Sequence, residues 1–223
     1  MGRKFALGFK SQNWSLRFKA LIFGGALWWA WAAHFAAIPM VVFLAVSFIL
    51  YFYPTPQSQR LLFSFFLLLV VTYSTARTTL NGTLFVVIAV LGAGLFYSIL
   101  LIKEYHVIDR QRWYRAMHFA IVTWGAALLF FTLHATPYVA PIYFLLFYES
   151  LMYARGEQEE QYKYATIIFS AVGAFLLYQG TWVLELMPIG FISQTGILIL
   201  LYYVVREAVC AHFQKTLSRT AVL

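Results

Sequence analysis

The chain has 223 residues, of which 62% are hydrophobic, 20% aromatic and only 11% charged, with a formal net charge of +8. Soluble domains carry about 25% charged residues, and a fold of this length cannot keep so much apolar surface away from water. The composition excludes an ordinary soluble domain. Because the charges lie between apolar runs, the basic excess points to membrane lipids and their phospholipid headgroups as partners, not to nucleic acid.

Residues 1–15, MGRKFALGFKSQNWS, are basic and aromatic and are expected to form a cytoplasmic, interfacial lead-in. They lack the short apolar run and small-x-small site of a cleavable signal. A helix that crosses the hydrocarbon needs about 20 apolar residues. On that length the sequence predicts spans at 16–34, 38–54, 60–78, 82–103, 112–134, 138–154, 163–185 and 189–207, a transmembrane domain over 16–207. Pro39 opens the second span in its first helical turn, where a missing N–H costs nothing. Residues 208–223 read as a basic cytoplasmic tail holding the one cysteine, Cys210, so no internal disulfide is available. The predicted fold is an all-α polytopic integral membrane protein, eight transmembrane helices arranged as four antiparallel hairpins.

Charge tests that count. With the amino terminus inside, every Lys and Arg except Arg77 falls in an inner segment. Adding or dropping a span would scramble the alternation, so the positive-inside rule predicts both termini in the cytoplasm and a plasma-membrane location. Gly94-x-x-x-Ser98 and Ser170-x-x-x-Ala174 read as small-residue faces for close helix packing.

Ionisable groups within spans are costly, so they mark the places where chemistry could occur. An outer polar patch is expected from Arg77, Glu185, His34 and His134 at the ends of spans three, seven, one and five, with Tyr73 and Gln179 at similar depth. The run TYSTARTTLNG places hydroxyls around Arg77, which could hold an anionic group while Glu185 balances its charge. On the inner side, His118 and Glu149 are expected at matching depth on spans five and six, as an ion pair or a proton-sharing pair.

The sequence predicts no catalytic residue set, no metal site and no cofactor. It has no lysine in the last span for a retinal, no Gly-x-Ser turn for an intramembrane serine protease, and one aspartate in all, Asp109. The function expected is a non-enzymatic membrane subunit or binding protein with an outer-face polar patch, with a protein partner in a membrane complex. A small-solute or lipid transporter is the first alternative, and a membrane-embedded enzyme acting on a lipid-linked substrate the second.

Overall fold

The computed structural model describes the backbone of residues 2–53, 61–104, 110–130, 139–155 and 163–220, with side chains over 14–53, 61–104, 112–130, 139–152 and 164–211. The described residues form eight α-helices and no strand: α1 (Gly2–Ala32), α2 (Ala37–Phe52), α3 (Leu62–Thr78), α4 (Gly82–Glu104), α5 (Arg110–Leu128), α6 (Val139–Arg155), α7 (Lys163–Leu186) and α8 (Phe191–Thr220). Each coincides with one predicted apolar segment. The first and last run further, because α1 continues through the basic lead-in and α8 through most of the tail.

Three of these helices are long and apolar enough to cross a membrane, over Gly82–Glu104, Tyr164–Leu186 and Phe191–Ala211. Most of each stretch faces outward, through Val86, Val87 and Val90 on α4, Val172, Phe175 and Leu176 on α7, and Ile192, Leu200 and Val204 on α8.

The chain divides into two compact units, residues 1–121 and 122–223. In the first, α1 packs on α2 and α4, and α3 on α4. Leu16, Ala20, Phe23, Leu27 and Ala30 of α1 are buried, a seam that recurs every three or four residues and so keeps one face inward. Phe23 lies at the centre, 4.5 Å from the stacked ring of Phe96 and 5.4 Å from Phe43. Farther along, Phe65 stacks on Tyr51 at 4.3 Å. Gly92 lets α4 approach α3: a Cβ there would stand 3.0 Å from the Thr72 methyl. Pro39 falls in the first turn of α2, as expected.

In the second unit, α7 packs on α6 and on α8. Its inward stripe mixes small or hydroxylic residues, Thr166, Ser170, Gly173, Ala174 and Thr181, with Leu177 and Leu184. Small residues allow close helix approach, and the Phe147 ring of α6 lies against Gly173. The hydroxyls bond back to their own helix, Ser170 to the Thr166 carbonyl at 2.6 Å and Thr181 to that of Leu177 at 2.8 Å. The Ser170–Ala174 face therefore packs as expected. Gly94 does not: it is exposed and has no neighbour within 4 Å of its Cβ direction, because α4 turns Gly92 and Phe96 inward instead.

Candidate functional site

The hydroxyl-rich end of α3 is built by the helix for itself. Thr75 donates to the Val71 carbonyl at 2.7 Å, Thr78 to Thr75 at 3.0 Å, and Thr79 to Thr75 at 2.7 Å. Such back-bonding satisfies both hydroxyl and carbonyl without another chain. Thr79 ends the helix, and its own carbonyl accepts a 3.1 Å bond from the Trp31 indole of α1. Two residues on, the Asn81 side chain accepts from the Thr83 N–H at 2.9 Å and so caps the start of α4.

Arg77 is exposed at this end, and its guanidinium donates to the Tyr73 hydroxyl at 3.5 Å, the outer limit of a hydrogen bond. Tyr73 is held in turn by the edge-on ring of Phe35, 5.2 Å away. His34 lies in the turn between α1 and α2 at a φ of 50°. The Phe35 N–H reaches back to the Ala30 carbonyl at 2.7 Å and the His34 N–H to Trp31 at 2.8 Å. That pair of bonds is a Schellman closure, with His34 at the left-handed position usually given to glycine. The first unit thus carries Arg77 and Tyr73 of α3 and His34 of the α1–α2 turn at one end.

Trp31 turns inward and stacks on Phe85 at 4.4 Å, while Trp28 and Trp29 are about half exposed. The three tryptophans divide between an outward belt and a packing role.

The opposite end of this unit holds a feature that sequence reasoning missed. Lys19 of α1 is buried and bridges two helices: its ammonium lies 2.6 Å from the Glu104 carboxylate of α4 and 2.8 Å from the Tyr53 carbonyl just past α2. Lys103, also buried, donates to the Tyr51 carbonyl and lies 4.2 Å above the Tyr51 ring. The last turn of α2 contains no basic residue, and the Tyr53 N–H bonds back to the Ile49 carbonyl. Two lysines from neighbouring helices supply both the donors and the positive charge that a helix C-terminus favours. The sequence does place a lysine and a glutamate at one depth on α1 and α4, but it does not say that they face each other. His118 also belongs to this unit, buried on α5, with the Tyr114 hydroxyl 3.4 Å from its Nδ1.

The remaining predicted residues lie in the second unit. Glu185 is partly buried near the end of α7 and Gln179 is exposed on the same helix. One turn before Glu185, the Thr181 hydroxyl meets that of Tyr143 from α6 at 2.8 Å. Since Thr181 gives its proton to Leu177, Tyr143 is the donor between them. Gln194 of α8 closes this end by donating to the Leu184 carbonyl at 2.8 Å.

At the other end of the second unit, Glu149 is buried on α6 beside Ser150 and within electrostatic reach of Tyr202 on α8. Ser150 bonds Tyr202 and accepts from the buried Arg206 guanidinium, which also pairs with Glu207. Arg206 had been expected only as an inner-side charge; it instead joins α8 to α6.

The structure therefore groups Arg77, Tyr73 and His34 in the first unit, and Glu185 with the Tyr143–Thr181 pair in the second. His118 falls in the first unit and Glu149 in the second, each with the neighbours given above. His134 lies outside the described residues. Among those residues no three His, Cys, Asp or Glu side chains are placed to hold a metal ion.

These features define an all-helical protein with three helices able to cross a membrane. No protein-family model, curated protein or solved structure matches the chain.

Proposed function

We propose that the chain is a multi-pass protein of the plasma membrane, crossing it with all eight helices and keeping both termini in the cytoplasm. It acts as a non-enzymatic subunit or binding protein through its helix faces and the polar end around Arg77. One observation carries the orientation. The contacts of Lys19, Lys103 and Glu104 gather the basic side of the first unit at one end, and Arg77 sits at the other. The second unit supports it, because Arg206 joins the end of α6 that leads into the start of α7 at Lys163.

The binding-protein reading is supported by how the buried charges are used. Lys19, Lys103, Glu104 and Arg206 all serve helix-to-helix joints, and the exposed Arg77 is left for contact with an anionic group. The shorter helices fit a membrane as well. α2, with 16 residues, is about 24 Å long. That is less than the roughly 30 Å hydrocarbon core, and local thinning or snorkelling of flanking residues covers such a gap at modest cost.

Native mass spectrometry of protein extracted gently from its own membrane tests this reading. A stoichiometric second polypeptide is expected. A chain that carries lipid alone, under conditions that keep known complexes intact, would overturn the subunit assignment.

A further inference from the structure

Near its inner end α1 divides sharply into two faces. Leu16, Lys19, Ala20 and Phe23 point into the first unit, whereas Trp14, Arg17, Phe18 and Leu21 point out, each of the three apolar ones more than 60% exposed. Lys19 is spent on Glu104 and the Tyr53 carbonyl. Arg17 is exposed, and its guanidinium stands 6.0 Å over the Trp14 ring. We infer that this outward face is a binding site for an acidic glycerophospholipid of the cytoplasmic leaflet, with Arg17 on the phosphate, Trp14 at the glycerol level, and Phe18 and Leu21 along the acyl chains. The inference rests on the membrane orientation proposed above.

Three arguments favour an acidic lipid as the occupant. A guanidinium offers a planar fork of donors that suits a phosphate, and an indole prefers the headgroup layer. Apolar side chains lie on the membrane-core side of Arg17, and further basic positions lie on the other. Lys10 and Arg3 stand seven and fourteen residues before Arg17 on a continuous helix, so all three fall on one stripe by register. The chain's net charge of +8 complements an anionic surface.

The unbroken helix also ranks these residues. At 1.5 Å per residue, Lys10 lies about 10 Å beyond Arg17 and Arg3 about 21 Å beyond it. The headgroup layer is only about 5–7 Å deep and the Debye length about 8 Å, so the contribution falls from Arg17 to Lys10 to Arg3.

The test is native mass spectrometry of the full chain in neutral detergent with equal phosphatidylglycerol and phosphatidylcholine added. Wild type is expected to retain phosphatidylglycerol preferentially. Arg17→Gln should weaken that retention about fivefold, the worth of one basic residue near an anionic surface. Lys10→Gln should do less, and Arg17→Lys should keep part of the preference. Both Arg17 and Trp14 are exposed, so melting in detergent should not change, and Trp14→Leu gives an independent loss. Unchanged selectivity in Arg17→Gln and Trp14→Leu overturns the site. A loss that follows Arg3 as strongly as Arg17 overturns the depth argument. Release of the protein from its membranes by alkaline carbonate would instead sink the membrane reading beneath it.

Discussion

The two ends of the first unit solve the same problem by opposite means. Both must satisfy the free carbonyls of a helix that stops. At the hydroxyl-rich end, α3 mostly serves itself: Thr75, Thr78 and Thr79 return their hydroxyls to carbonyls about one turn back, and the Trp31 indole of α1 adds one bond to the Thr79 carbonyl. At the lysine end, the last turn of α2 has no serine or threonine, and Lys19 and Lys103 reach in from α1 and α4. The first solution is local and leaves Arg77 free to face outward. The second ties three helices together and hides its charges. The self-satisfied end tolerates change at its hydroxyls, whereas the cross-linked end depends on Lys19 and Lys103 and leaves for binding only a face turned away from that joint, such as that of Arg17 on α1.

That contrast can be broken, most severely at the lysine end. Lys19→Met leaves Glu104 mostly buried without its partner, and removing one member of a buried pair costs about 3–5 kcal/mol. Thermal unfolding in detergent should show the loss, and Lys19→Met with Glu104→Gln should recover most of it. No rescue would mean that the pair does not join α1 to α4.

Between the ends, Gly92→Ala would set a Cβ 3.0 Å from the Thr72 methyl, an overpacking worth about 1–3 kcal/mol. Thr72→Ser removes that methyl and should restore stability, a non-additive result that a double-mutant cycle would expose.

Smaller effects sharpen the comparison. His34→Gly should stabilise by up to about 1 kcal/mol, since a side chain at φ 50° strains a position glycine occupies freely. Chemical denaturation of the purified protein would read that gain. Thr78→Val and Thr79→Val should each shift stability by no more than about 0.5 kcal/mol, because these hydroxyls bond carbonyls of their own helix. A large loss at either would mean that these hydroxyls also serve a neighbouring helix.

Much of the helical layout was legible in the sequence. Each apolar run is bounded by turn residues, and run length placed α2, α3, α4, α6 and α7 within a few residues of their observed positions, while α1 and α8 run on through the basic ends. The end-forming chemistry was less legible. A leucine-and-phenylalanine run gives no sign that Lys19 and Lys103 turn inward, since a lysine stem suits either a headgroup or a neighbouring carbonyl. His34 read as a polar residue at a span end, and its left-handed backbone could not be seen because the usual marker, glycine, is missing. The hydroxyls of TYSTARTTLNG read as surroundings for Arg77, yet hydrogen bonding turns three of the six, those of Thr75, Thr78 and Thr79, onto their own helix. Gly94 matched a packing motif, but a small residue shows where helices can approach and not which face they choose.

The orientation underlies the whole account, and sided cysteine labelling tests it most directly. With Cys210 replaced by serine, Ser15→Cys, Asn81→Cys and Ser193→Cys each give one exposed thiol, covering both units. A membrane-impermeant maleimide should label Asn81→Cys and Ser193→Cys in right-side-out vesicles, and Ser15→Cys only in inverted ones. Labelling of Ser15→Cys and Asn81→Cys from the same side would contradict the proposed crossing and orientation of the first unit, and with it the cytoplasmic lipid site on α1.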